Sequence, residues 1–304
     1  MKDFLCINDC STEQLHQLLL TAGELKKLYK RHSRDLCLSG KVLAMLFEKP
    51  SLRTRISFEV AMTDLGGTAI YVKPEDIGGI GKREPIKDIA RVMSRYVDAI
   101  MARTFEHSTV IELAEFATVP VINALTDWSH PCQAMADVLT IQEHCGHLQG
   151  VKIAFIGDGN NVARSLAFAC TKFAMKMVVA SPVGYELDDQ TIQTANHTSP
   201  DAVTRTNDPK QAVLDADIIY TDTWVSMGQE SEKQKRIADF EGFQVNAQLL
   251  KSAGADVKVM HCLPAHRGLE ITDEVAESDN SIIFDQAENR LHFQRALLKK
   301  LISS

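Results

Sequence analysis

Val42-Leu-Ala-Met-Leu-Phe-Glu-Lys-Pro-Ser-Leu-Arg-Thr-Arg-Ile-Ser-Phe-Glu59 changes character halfway. Its first six residues form an unbroken apolar run, short enough for a strand and apolar enough to be covered on both faces. After Pro50, Ser51 stands where a helix cap belongs, and a helical pattern runs over 52–65. A buried strand that passes straight into a helix is the repeating unit of a parallel sheet, whose crossover helices cover its faces.

The unit recurs in both directions along the chain. Residues 11–32 read as a helix, with Ser11 and Gln14 as a capping box and Leu15, Leu18, Leu19, Ala22, Leu25, Leu28 and Tyr29 at helical spacing. Apolar runs at 68–72, 99–102 and 119–122 alternate with helical patterns at 85–97 and 108–117. A helix near 133–146 follows, and the alternation restarts. Strands are expected at 151–156, 177–180, 217–221, 257–261 and 282–284, and helices near 161–174, 186–196 and 246–252. An amphipathic helix from about 287 to 301 ends the chain. The fold class is therefore α/β, with two doubly wound parallel-sheet domains, 1–133 and 134–286, and an active site in the cleft between them. The C-terminal helix, 287–304, is expected to pack back on the first domain.

Bulk properties agree. The chain has 304 residues, 45% hydrophobic and 24% charged, the balance of a globular protein with room for two cores. A net charge of −7 does not suit a nonspecific nucleic-acid binder. No window approaches the roughly 18 apolar residues of a membrane span. The start, Met1-Lys-Asp-Phe-Leu-Cys-Ile-Asn8, is too polar for a signal peptide. Seven cysteines at irregular spacing leave one unpaired in any disulfide scheme, which indicates a reducing, cytoplasmic setting.

Ligands of open parallel sheets bind beyond the carboxyl ends of the strands. The unusual polar clusters fall there. Pro50-Ser-Leu-Arg-Thr-Arg55 offers a helix start, two hydroxyls and two guanidinium groups, which suits a phosphate. Arg53 and Arg55 are two residues apart and point in different directions, so one binds ligand and the other braces the loop; the plainer alternative is a capped helix with two solvated arginines. Arg103 and Arg290 add positive charge. His130-Pro-Cys-Gln133 sets an imidazole and an amide around a proline, able either to hold a carbonyl oxygen and a carbamoyl NH2 or merely to cap a helix. Asp222-Thr-Trp-Val-Ser-Met-Gly228 offers a carboxylate for an ammonium group and polar atoms for the other end of an amino acid. In His261-Cys-Leu-Pro-Ala-His-Arg-Gly268, Cys262 is either inert packing or a partner for an amine.

Three other chemistries rank lower. No oriented base or oxyanion loop marks a cysteine nucleophile. His130 and Cys132 with Cys262 and His266 lack the paired spacing of zinc sites, so no metal is expected. Val151-Lys-Ile-Ala-Phe-Ile-Gly-Asp-Gly-Asn-Asn-Val162 looks like a dinucleotide strand and turn. Yet Val162 holds the third glycine position, and Val179-Ala180-Ser181 brings no acidic residue for a ribose.

Taken together, these segments resemble the ornithine carbamoyltransferase family along nearly the whole chain. The segments that carry the likeness are 47–59, His130-Pro-Cys-Gln133, Gly157-Asp-Gly-Asn-Asn161, Asp222 with Ser226-Met227-Gly228, His261-Cys-Leu-Pro264 and Phe284-Asp-Gln-Ala-Glu-Asn-Arg290. The resemblance implies carbamoyl transfer from carbamoyl phosphate to the δ-amine of L-ornithine, giving citrulline and phosphate, with no cofactor. It implies that Ser51, Leu52, Arg53, Thr54, Arg103, His130, Gln133 and Arg290 bind the donor, and that Asn161, Asp222, Ser226 and Met227 bind ornithine. Cys262 and Leu263 would lie where both substrates meet, and Arg103, His130 and Cys262 would be catalytic. The family is typically a homotrimer with shared active sites. Two departures stand out. Leu52 removes one hydroxyl from the phosphate segment. Gly79, in Ile77-Gly-Gly-Ile-Gly-Lys-Arg-Glu84, stands where many members have a glutamine that reaches a neighbour's donor, a role that Lys82 or Arg83 is expected to take.

Overall fold

The computed structural model describes residues 1–197, 199–225 and 228–303. The chain divides into two compact units, Met1–Leu139 with Glu288–Ser304, and Thr140–Ala287.

In the first unit, four parallel strands lie in the order β2-β1-β3-β4. They are β1 (Val42–Phe47), β2 (Thr68–Val72), β3 (Ala99–Arg103) and β4 (Val121–Leu125). Its helices are α1 (Thr12–Lys30), α2 (Leu52–Asp64), α3 (Pro74–Ile77), α4 (Ile86–Met93), α5 (His107–Phe116) and the start of α6 (Pro131–Cys145). Strand β1 is central because it can be: Leu43 through Leu46 are fully buried, as a strand covered on both faces requires. The Ser11 hydroxyl accepts the Gln14 N–H, and the Gln14 side chain accepts the Ser11 N–H, closing the expected capping box of α1.

In the second unit, five parallel strands lie in the order β7-β6-β5-β8-β9. They are β5 (Lys152–Ile156), β6 (Lys176–Ala180), β7 (Val203–Thr206), β8 (Ile218–Thr221) and β9 (Lys258–His261). The helices are α7 (Asn161–Lys172), α8 (Asp189–Asn196), α9 (Pro209–Val213), α10 (Lys233–Asp239), α11 (Ala247–Ala253) and α12 (Asp273–Ala276). Helix α13 (Ile283–Ile302) closes the chain.

Two sequence expectations need correction. Residues 282–284 are not a strand: Ile282 donates one backbone hydrogen bond to Val259, and the chain turns into α13 at Ile283. Strand β7 was not expected, because its Val203-Thr-Arg-Thr206 is half exposed at the sheet edge and reads as loop.

Candidate active site

The first polar group is built at the carboxyl ends of β1, β3 and β4. Ser51 caps α2, accepting the Thr54 N–H at 3.4 Å, and its hydroxyl pairs with the Thr54 hydroxyl at 3.2 Å. A helix start offers backbone N–H groups and a partial positive charge to an anion. Leu52 is 75% exposed, so only its backbone is suited to an anion. The two arginines separate by role. Arg55 bonds Glu59 at 2.9 Å and lies 4.1 Å over the Tyr71 ring, so it braces the helix. Arg53 lies close enough to His130 to act on its charge. A register shift between Ala102 and Arg103 interrupts the β3–β4 ladder before its last pair, Arg103 with Leu125, and Arg103 is buried at that irregularity.

His130 precedes Pro131, whose missing N–H and fixed φ suit the first position of α6. The His130 carbonyl accepts the N–H groups of Gln133 and Ala134, which locks the turn. Arg290 then ties the cluster together. One nitrogen donates to His130 Nε2 at 3.2 Å and Gln133 Oε1 at 2.6 Å, and another donates to Thr54 Oγ1 at 3.0 Å. A guanidinium cannot accept, so His130 Nε2 is the acceptor and the ring proton is on Nδ1. Burial, reinforced by the charges of Arg290, Arg103, Lys49 and Arg53, holds the imidazole well below its usual pKa. His130 is thus neutral at physiological pH. In this arrangement Nε2 does not donate; donation to a carbonyl oxygen requires Arg290 to leave it and the ring proton to move from Nδ1 to Nε2. Cys132 is fully buried, its thiol pushed up to about 12 by that burial, and it points at the Asn123 carbonyl at 3.6 Å. It is packing.

The second polar group lies at the carboxyl ends of β5, β8 and β9. Asp222 is buried, and its Oδ1 accepts from the Cys262 thiol at 2.8 Å and the Thr223 N–H at 2.7 Å. Its Oδ2 accepts from Asn160 Nδ2 at 2.9 Å. Asn160 also caps α7 through Val162 and Ala163, placing Asn161 as the first helical residue. Sequence reading chose Asn161 and passed over Asn160; its place as an N-cap one residue ahead was the available signal. His261 Nδ1 accepts the Leu263 N–H at 2.8 Å, so Nε2 carries the proton and donates to the fully buried Glu270 at 3.2 Å. That bond fixes the backbone of Leu263, which has a positive φ of 59° and precedes a cis proline, Pro264. Glu270 was also missed, since a lone acid in Arg267-Gly-Leu-Glu270 carries no pattern. His266 bonds Thr223 Oγ1 at 3.0 Å. Ser226 and Met227, expected to bind ornithine, lie outside the described residues.

Ligand atoms of Asp222, His261 and Cys262 lie within 4.8 Å of one another, near enough to share a metal ion. Both ring nitrogens of His261 are engaged by Leu263 and Glu270, and the thiol by Asp222, so a metal would have to displace these bonds.

The dinucleotide alternative fails on geometry. A Cβ added at Gly159 would lie 2.2 Å from the Leu187 nitrogen. This glycine lets the chain's own 185–187 backbone approach, with its N–H donating to the Tyr185 carbonyl at 2.8 Å, where a dinucleotide turn uses a glycine to admit a pyrophosphate.

The likenesses to known proteins point one way. Residues 2–143 match the carbamoyl-P binding domain of aspartate/ornithine carbamoyltransferases, and residues 149–301 match the Asp/Orn binding domain. The chain is 52% identical over 300 residues to the anabolic ornithine carbamoyltransferase of Pyrococcus furiosus, covering 98% of this chain and 95% of that protein. It is 51% identical over 304 residues to the ornithine carbamoyltransferase of Bacillus subtilis, with 99% and 94% covered. Among solved structures, the P. furiosus enzyme superposes with a TM-score of 0.96 at 51% identity, covering 99% of this chain and 97% of that one. The Thermus thermophilus enzyme gives 0.89 at 46%, covering 99% of each chain. With both family domains matched in order, the chain belongs to the aspartate/ornithine carbamoyltransferase family.

Proposed function

We propose that this enzyme transfers the carbamoyl group of carbamoyl phosphate to the δ-amine of L-ornithine, forming citrulline and phosphate. The observation that carries the donor half is the buried Arg290 fork on Thr54, His130 and Gln133. It is a preassembled set of donors and acceptors sized for a small, doubly functional anion. The relatives' names support the acceptor half, and the anabolic name of the P. furiosus relative supports the biosynthetic direction.

The phosphate is held by the α2 start, the Ser51 and Thr54 hydroxyls, the Leu52 backbone, Arg53, Arg103 and Arg290. Gln133 Oε1 accepts from the carbamoyl NH2. Asp222, Asn161, Ser226 and Met227 hold ornithine, and Cys262 and Leu263 contact the reacting groups. A free alkylamine has a pKa of about 10.4, so the δ-amine must lose a proton to attack. Desolvation favours that loss. Attack on the carbamoyl carbon gives an oxyanion, which Arg103, Thr54 and, once Arg290 has turned to the phosphate and the ring proton has moved from Nδ1 to Nε2, His130 stabilise. The C–O bond to phosphate then breaks, and the surplus proton on the attacking nitrogen passes to the departing phosphate, which leaves as hydrogen phosphate. There is no net redox change, and the rate gain is positioning and electrostatics.

We further propose a cytoplasmic homotrimer. Among the described residues no helix is long and apolar enough to cross a membrane.

The test is citrulline formation from carbamoyl phosphate with ornithine, run beside acetylornithine and putrescine. Ornithine is expected to be used at least 100-fold better, roughly the discrimination a complete set of polar contacts gives. Equal or better use of either other amine would overturn the acceptor assignment.

A further inference from the structure

We propose that Asp137 is a positioning residue that makes the donor site read a carbamoyl group in preference to an acyl group. This deepens the donor reading above and rests on it. Asp137 lies one helical turn beyond Gln133 on α6, the spacing at which two side chains on one helix meet. Asp137 is fully buried and Gln133 is 1% exposed. Gln133 Nε2 donates to Asp137 Oδ1 at 2.8 Å, while Gln133 Oε1 accepts from Arg290 at 2.6 Å. A carboxylate only accepts and a guanidinium only donates, so the amide has one allowed orientation, nitrogen toward Asp137 and oxygen toward Arg290.

The two constraints differ in permanence. Arg290 is itself a phosphate-binding group, and an arriving dianion competes for it. Asp137 has no such competitor, because it is buried in the helix that carries Gln133. When Arg290 turns to the phosphate, Asp137 is what keeps the Gln133 carbonyl facing outward. A carbonyl oxygen has two lone pairs, and the carbamoyl NH2 offers the N–H that matches them. An acetyl group offers a methyl there, which would leave that oxygen without a donor. Turned the other way, the amide would present N–H to N–H and the preference would vanish.

The experiment measures three ligands on the intact enzyme: the KM of carbamoyl phosphate, and the competitive inhibition constants of acetyl phosphate and inorganic phosphate. Asp137→Ala is expected to raise the carbamoyl phosphate KM about tenfold, the order of one lost hydrogen bond. Acetyl phosphate and inorganic phosphate, which make no use of the Gln133 oxygen, should change less than about twofold on the same ground. Asp137→Asn keeps the shape and an accepting oxygen but permits the turned pairing as well. It should lose part of the discrimination, and it carries the test should the alanine variant not fold. Parallel weakening of all three ligands would reduce Asp137 to a structural residue, and an unaltered carbamoyl-to-acetyl ratio in the variants would overturn the proposal outright. Absence of citrulline formation by the unmodified enzyme is the separate result that would remove the donor reading itself.

Discussion

At the scale of single residues, the site is governed by how charge is placed around His130. An exposed histidine would be half protonated near pH 6.5. Here burial, with the cations Arg290, Arg103, Lys49 and Arg53, keeps the ring neutral. The sign of the linked stability follows. The folded pKa is depressed, so the unfolded chain takes up the proton first, and stability is lost as pH falls below about 6.5, at up to ~1.4 kcal/mol per pH unit. His292, depressed mainly by burial, adds in the same direction. His130→Gln should therefore flatten the fall of the urea midpoint between pH 7 and 5.5. Nitrogen-15 spectra should show the His130 ring neutral at pH 6 with its proton on Nδ1. An imidazolium signal at that pH would contradict the electrostatics of the whole donor group. This state was not legible in the sequence. His130-Pro-Cys-Gln133 named two side chains that Arg290 ties together, but Arg290, the cation that sets the histidine's tautomer, lies 160 residues away.

At the scale of elements, local chemistry decided what could be read. The capping box of α1, the apolar run of β1 and the Ser51 cap of α2 are spelled in adjacent residues, and each forms as the pattern predicts. Edge and connecting elements follow weaker rules. β7 is polar because one of its sides is open, and Ile282-Ile283-Phe284 is apolar because it begins a helix. Helix α10 is the instructive case, since its role depends on reaching other elements. Arg236 projects from it to Asp158 at 2.7 Å, to Glu232 at 2.9 Å and to the Trp224 carbonyl at 3.1 Å. It thereby ties the loop after β5 to the loop after β8 that carries Asp222. Burial already raises the Asp158 carboxyl above its usual pKa against the pull of Arg236. Arg236→Met would leave that carboxyl buried without its cation, at a cost of about 3 kcal/mol in stability. The acceptor loop should slacken, raising the ornithine KM about tenfold, one lost charged contact, with the carbamoyl phosphate KM unchanged. Equal changes in both constants would show that Arg236 supports the fold and not the acceptor loop.

At the scale of the whole molecule, the resemblance named the family because its motifs occur together and in order over nearly the full length. What it left open is the expected departure at Gly79, which follows Gly78 in the chain. Both have positive φ, 68° and 87°, so a glutamine at either would be strained. The space such a side chain would start from is also taken. A Cβ on Gly79 would meet Lys82 Cδ at 2.9 Å, and one on Gly78 would meet the Arg83 stem at 3.0 Å. Two cationic side chains thus fold across the glycine pair, with both residues exposed. An exposed ammonium or guanidinium can do across a subunit boundary what a glutamine amide does, and with greater pull on a dianion. Replacing Lys82 and Arg83 together by alanine should raise the KM of carbamoyl phosphate strongly, by about tenfold or more for lost charged contacts. The ornithine KM should stay constant, and the sedimenting mass should match that of the unmodified enzyme, three 33.7 kDa chains in the proposed trimer. Rising salt should weaken donor binding in the unmodified enzyme more than in the variant, because solvent-exposed charges are screened. An unchanged donor KM in a variant of unaltered mass would show that the glycine pair has closed off the proposed contact and that nothing in the loop has replaced it.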